Sequence, residues 1–216
     1  MVTVSNIETK QRRRRWVFLT VGVAAVITLV LCGYGLVQYY SGPVDMDGNR
    51  VQTDDGVPPV AASSAVPAIG DDRFVVSSVG LDVPLGALTS VDGAIEPPGF
   101  TSAYWVRDEG VAPAANSDGT VFVVMHSLRN GAIGPGNYLI DVDRSTSKVG
   151  LGATITVDDL DYTVTGTQLI DKPDIAASSS VWSNTPNRLV VITCLQRPDG
   201  SPSTQNLIIE AQRARS

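Results

Sequence analysis

The chain has 216 residues, a formal net charge of −6, one histidine and two cysteines. A structural zinc site usually takes four Cys or His ligands, and a disulfide scaffold needs several cysteine pairs, so both classes are excluded. The acidic balance argues against a nucleic-acid binder, which shows a basic patch on its domain.

Residues 1–15 form a basic tail: Lys10 and Arg12 to Arg15 against Glu8 give a local charge of +4. The run from Trp16 to Val37 carries no charge over 22 residues. As a helix it would span roughly 33 Å, about one hydrocarbon core. Trp16 at one edge and Tyr39 and Tyr40 at the other suit the two membrane interfaces. Residues 16–38 are therefore predicted to be a transmembrane helix. The arginines hold the N-terminus in the cytoplasm and place the rest of the chain outside a cell membrane that it crosses once. The run is longer than the apolar region of a signal peptide, and no A-x-A site follows it. Residues 39–72 hold Pro43, Pro58, Pro59 and Pro67 among glycines, aspartates and small residues, without helical or strand period. They read as an extracytoplasmic spacer.

Residues 73–216 read as one mainly β domain. Phe74–Val79, Leu81–Leu88, Thr120–Met125, Tyr138–Val142, Thr154–Val157, Tyr162–Ile170, Leu189–Thr193 and Leu207–Ala211 are short runs rich in Val, Ile, Thr and Tyr. Gly, Pro, Asn and Asp punctuate them, a pattern of barrels and sandwiches. Ala112–Asn116 could supply one helical turn, and no long amphipathic helix is expected.

With Cys32 inside the apolar run, Cys194 is the one thiol of the outer domain. It ends the run Leu189-Val190-Val191-Ile192-Thr193-Cys194, and the sole histidine, His126, ends Val121-Phe122-Val123-Val124-Met125-His126. A thiolate is a nucleophile that a neighbouring imidazolium favours, and the same imidazole can protonate a leaving amine. A lone cysteine at a strand end is more often buried filler, a lone strand-edge histidine is similarly ordinary, and composition does not show that the two meet.

The order of residues nevertheless resembles the sortases, membrane-anchored cysteine transpeptidases of Gram-positive surfaces, and most of all the actinobacterial class E/F type. After the basic tail, apolar run and spacer, the stretch Arg73 to Leu85 is similar to the family's opening strand. Asp92-Gly93-Ala94-Ile95-Glu96-Pro97-Pro98 resembles its D-G-x-L-x-V-P segment. Tyr104-Trp105 stands near its G-W-Y region, Val124-Met125-His126-Ser127 at its histidine, and Gly134-Pro135-Gly136-Asn137-Tyr138-Leu139 at G-P-A-V-F-x-L. Val191-Ile192-Thr193-Cys194 matches L-x-T-C, and Asn206-Leu207-Ile208-Ile209 the closing N-V-V-V strand.

The resemblance implies a closed eight-stranded sortase-type β-barrel with short helical turns. It implies Cys194 as nucleophile toward an LPxTG-like sorting signal, a thioacyl intermediate, and His126 as general acid/base. Proteins bearing sorting signals, and an amine from a peptidoglycan precursor or a pilin, would be the partners. Thr193 would line the substrate groove and Trp182 would contact the signal peptide. No cofactor and no metal are implied, and Asp158, Asp159 and Asp161 read as a solvated turn. In the family an arginine on the final strand steadies the substrate carbonyl and the developing oxyanion; that position falls at Thr204 or Gln205 here, so Arg197 is the candidate for the role, ahead of Arg129 and Arg188. A cysteine hydrolase on the same frame and an inactive envelope binding module are the alternatives. The S-x-G-C pattern of an L,D-transpeptidase is absent.

Overall fold

The computed structural model describes residues 27–30, 43–51, 65–66 and 71–213. The predicted membrane helix lies outside the described residues except for 27–30, which are helical. Among the described residues no helix is long and apolar enough to cross a membrane.

Eight strands form the body of the domain. In chain order they are β1 Arg73–Val76, β2 Leu81–Leu88, β3 Ala103–Gly110, β4 Thr120–Val124, β5 Thr154–Val157, β6 Leu160–Asp171, β7 Arg188–Leu195 and β8 Gln205–Gln212. They pair in the order β2-β1-β5-β6-β8-β7-β4-β3, and β3 pairs back onto β2. The sheet thus closes on itself and leaves no free edge among these eight strands. Two contacts are parallel, β2 with β3 and β4 with β7, and the other six are antiparallel.

The predicted closed eight-stranded barrel is present, with three differences in detail. Tyr138–Val142 is not a barrel strand. Gly134-Pro135-Gly136 starts a 3-10 turn over Pro135–Tyr138, and only Ile140–Asp141 pairs, in a separate two-strand ladder with Thr146–Ser147. Leu139 and Ile140 are buried, so the run is apolar because it is packed, while the turn chemistry of Pro and Gly decides its conformation. The missing strand is β3. Its second half, Arg107-Asp108-Glu109, faces solvent, and these charges hide the β character of Ala103–Val106. The first predicted strand also stops early: Ser77–Val79 makes a 3-10 turn closed by Gly80 at φ 71°.

Alternation along the strands sends successive side chains to opposite faces of the wall. The inward set fills the barrel and includes Phe74, Leu81, Val121, Val123, Ile155, Tyr162, Leu189, Val191, Leu207 and Ile209. A second cluster lies on the outside of the wall: Leu88, Tyr104, Phe122, Val124, Val190, Ile192 and Ile208. It is covered by Val181 of the one-turn helix Ser179–Trp182, and Trp182, Ile175, Ile170 and Ile95 pack against it. Because β7 is buried on both faces, its sequence shows a continuous apolar run without a period.

Residues 43–51, placed in the spacer by composition, are tied to the domain. Asp45 accepts hydrogen bonds from the backbone N–H of Asp47, Asn49 and Ile133, and Met46 N–H donates to Ile133 O. Burial would raise the Asp45 carboxyl, but the hydrogen bonds from Asn49, Ile133 and Asp47 outweigh it and hold the pKa below the ordinary aspartate value.

Candidate active site

The parallel contact between β4 and β7 determines the site. Parallel neighbours end at the same rim, and the register pairs Val124 with Ile192. Two residues beyond that pair lie His126 on one chain segment and Cys194 on the other. Phe122 and Val124 face the outer cluster, as do Val190 and Ile192, so alternation puts His126 and Cys194 on the outside of the wall as well. Both line one groove of about 830 Å³ at this rim.

His126 is half-buried under the segment that joins β2 to β3. Its Nε2 lies 2.7 Å from the Pro97 carbonyl oxygen. A carbonyl only accepts, so Nε2 carries the proton and Nδ1 keeps the lone pair. The Phe100 ring rests on the imidazole at 4.8 Å between centroids. Burial lowers the His126 pKa below its ordinary value; the Pro97 carbonyl and Glu96 oppose the shift, and the charge of Lys172 adds to it. The imidazole is therefore neutral at pH 7 and able to accept a proton.

Cys194 is a free thiol, half-exposed to the groove. The rim is held by side chains. Ser127 Oγ donates to the Cys194 carbonyl at 2.5 Å, and Gln196 Nε2 donates to Ser127 O at 2.8 Å and to Ser127 Oγ at 2.9 Å. Thr193, one residue before Cys194, turns the other way. It is buried and its Oγ1 donates to the Met125 carbonyl at 2.9 Å. It borders the groove, but its hydroxyl stitches β7 to the segment leaving β4. Gly136 packs against this stitch, and its N–H donates to His126 O at 2.8 Å. A Cβ at Gly136 would fall 2.0 Å from Thr193 Oγ1 and 2.9 Å from His126 O. Gly136→Ala is therefore expected to destabilise the protein by about 1–3 kcal/mol and to lower activity with it. Denaturant melts and turnover of the same preparation check this, and an unchanged midpoint would contradict it.

Trp182 does line the groove. Its indole Nε1–H donates to Ile175 O at 2.7 Å and its ring lies 5.1 Å from Phe122, so it is fixed as part of the wall. Arg197 sits in the turn after β7, ion-paired with Asp199 at 3.3 Å and half-exposed. It lines a neighbouring pocket of about 770 Å³, while the charged residues bordering the groove itself are Arg50, Glu96, Arg129 and Lys172. Arg129 borders both spaces and donates to Gly200 O at 3.3 Å. Arg188 is at the opposite end of β7, buried and paired with Glu210.

Among the groove residues to which the sequence assigned no role are Pro97, Lys172 and Asn206. Pro97 and Asn206 lie within segments that carried the family resemblance, but their neighbours depend on strand register. Asn206 is paired directly with Cys194 across β8 and β7, and the N–H of Lys172 donates to the Thr204 carbonyl at 2.9 Å.

No protein-family model and no curated protein sequence matches the chain. Among solved structures, it is similar to Listeria monocytogenes sortase A, with 24% identity and a TM-score of 0.44, covering 67% of this chain and 86% of that one. A lid mutant of sortase A from Corynebacterium diphtheriae matches at 13% identity and a TM-score of 0.49, over 77% and 83% of the two chains. Sortase C from Clostridium perfringens matches at 15% identity and a TM-score of 0.43, over 68% and 72%.

Proposed function

We propose that this protein is a sortase-type cysteine transpeptidase that cleaves an LPxTG-like signal and transfers the acyl group to an amine. The observation that carries the reading is the β4–β7 parallel pairing, which brings the sole histidine and the sole cysteine of the domain to one rim and one groove. The sequence resemblance given above supports it independently.

In this reading the peptide lies in the groove with its scissile carbonyl over Cys194. The Sγ–C bond forms as the thiol proton passes to Nδ1 of His126, and a tetrahedral oxyanion develops. The C–N bond then breaks, and the departing amine takes the proton back from Nδ1, leaving a thioacyl enzyme. A second amine attacks the thioester, His126 takes its proton, and Cys194 leaves as the thiol. The Nε2–H bond to Pro97 O holds the ring in the tautomer that leaves Nδ1 available. The acceptor is an amine of a peptidoglycan precursor or a pilin. The apolar run 16–38 anchors the enzyme in the cell membrane with the barrel outside. The class E/F character is part of the same proposal.

The test uses the full-length chain in mild detergent with a quenched fluorescent peptide library of the Leu-Pro-x-Thr-Gly type, with and without an amine acceptor. Amine-linked product that disappears in Cys194→Ala supports the reading. Cleavage without ligation overturns transfer in favour of hydrolysis, and the absence of any thioacyl adduct on Cys194 overturns catalysis on such signals. Arg197→Ala is expected to stay within about threefold of wild type, because its exposed pair with Asp199 contributes little and it lies outside the groove lining. A collapse in rate with folding intact would return the carbonyl-holding role to the turn.

A further inference from the structure

Asn206 is 8% exposed and lines the groove. Its backbone pairs with Cys194 across the antiparallel β7–β8 ladder. Directly opposed residues place their Cβ atoms about 4.5–5.5 Å apart on the same face, so the Asn206 amide is the side chain next to the thiol on β8. Ile208, two residues on, lies in the outer cluster, which sets the same outward direction for Asn206. Its side-chain amide has no hydrogen-bond partner among the described residues. Buried amides are nearly always bonded, so one left open toward a groove is a donor held ready for something that enters it. The other buried polar side chains at this rim, Thr193, Gln196 and Ser127, all donate to protein acceptors.

We propose that Asn206 is a catalytic residue whose Nδ2–H donates to the substrate carbonyl oxygen as it becomes the oxyanion of the Cys194 adduct. This rests on the reading of Cys194 as an acylated nucleophile and adds the group that receives the negative charge. A fixed donor aimed at developing charge is worth about 10²–10³ in rate. The position is occupied only when a carbonyl carbon is bonded to Sγ, so a thiol reaction without an oxyanion does not use it.

Two reagents separate these cases on the full-length chain. p-Nitrophenyl acetate acylates Cys194 through a tetrahedral oxyanion, releasing p-nitrophenol, and methyl methanethiosulfonate converts the same thiol to a disulfide without one. Asn206→Ala and Asn206→Asp are compared with wild type, Asp keeping the shape while removing both N–H donors. The expected result is a loss of about 10²–10³-fold in acylation with the methanethiosulfonate rate within about twofold. Acylation of Asn206→Asp at the wild-type rate would overturn the proposal. A parallel fall in both reactions of Asn206→Asp would overturn it too, assigning Asn206 to positioning the thiol. If wild type is acylated by the ester but by no sorting peptide, the peptide reading fails while the role of Asn206 is still decided by the two rates.

Discussion

His126→Gln is expected to lower the rate of Cys194 acylation by roughly 10²–10⁴-fold, the span usual for loss of a positioned general acid/base. Glutamine keeps a polar side chain of similar reach but cannot take the thiol proton. The pH dependence carries a second signature. Burial holds the His126 pKa below the ordinary histidine value, so the neutral, proton-accepting form persists to lower pH. The acid limb of kcat/KM is therefore expected below about pH 6.5, and it disappears in His126→Gln. A limb centred above pH 7 in wild type would contradict the assignment. Stability follows the same sign. With the folded pKa depressed, the unfolded chain binds the proton more readily than the folded one. The contribution is fully present above about pH 6.5 and is lost as pH falls through the folded value. Denaturant melts at pH 7.5 and 5 should show a larger loss for wild type than for His126→Gln.

The largest effect on stability is expected from Arg188→Ala. This arginine is 7% exposed at the start of β7. Its Nη1 donates to Val181 O at 3.1 Å, to Ser183 O at 3.0 Å and to Ser183 Oγ at 2.9 Å. Its Nη2 donates to Ser180 O at 2.7 Å and to Glu210 at 2.9 Å. Alanine would leave the Ser180, Val181 and Ser183 carbonyls without this donor and take the cation from Glu210, which is 31% exposed and keeps its bond from Gln168, a loss of about 2–4 kcal/mol. Because that helix presents Trp182 to the groove, KM for a peptide is expected to rise with the loss of stability. Urea unfolding of the single variant and of an Arg188→Met/Glu210→Leu pair tests this. The double variant should recover part of the loss, since it leaves no uncompensated charge. A single-variant effect below about 1 kcal/mol would show that the pair is dispensable.

Much of the domain was legible in the residues themselves. Short β-branched runs separated by Gly, Pro, Asn and Asp specify strands locally, and seven of the eight barrel strands fall where such runs lie. β3 was hidden because Arg107, Asp108 and Glu109 continue the strand into solvent, and charges there say nothing about backbone pairing. Tyr138–Val142 misled because apolar composition reports burial, and the turn begun by Pro135 and Gly136 buries Leu139 and Ile140 without a strand.

The candidate nucleophile and base were also readable, since a chain with one histidine and one cysteine outside its apolar run offers no others. That they share a rim is a tertiary fact. Cys194 and His126 are 68 positions apart, and only the parallel register of β4 on β7 makes them neighbours. The same holds for the side chains around them. Arg197, three residues from Cys194, sits in the turn paired with Asp199 and lines the adjoining pocket rather than the groove. Asn206, twelve residues away, lies directly opposite the thiol. Local sequence determines which backbone conformations are accessible, because propensity and turn chemistry act over a few residues. Which side chains meet is decided by strand register and barrel closure, where long-range burial sets the pairing and alternation chooses the face.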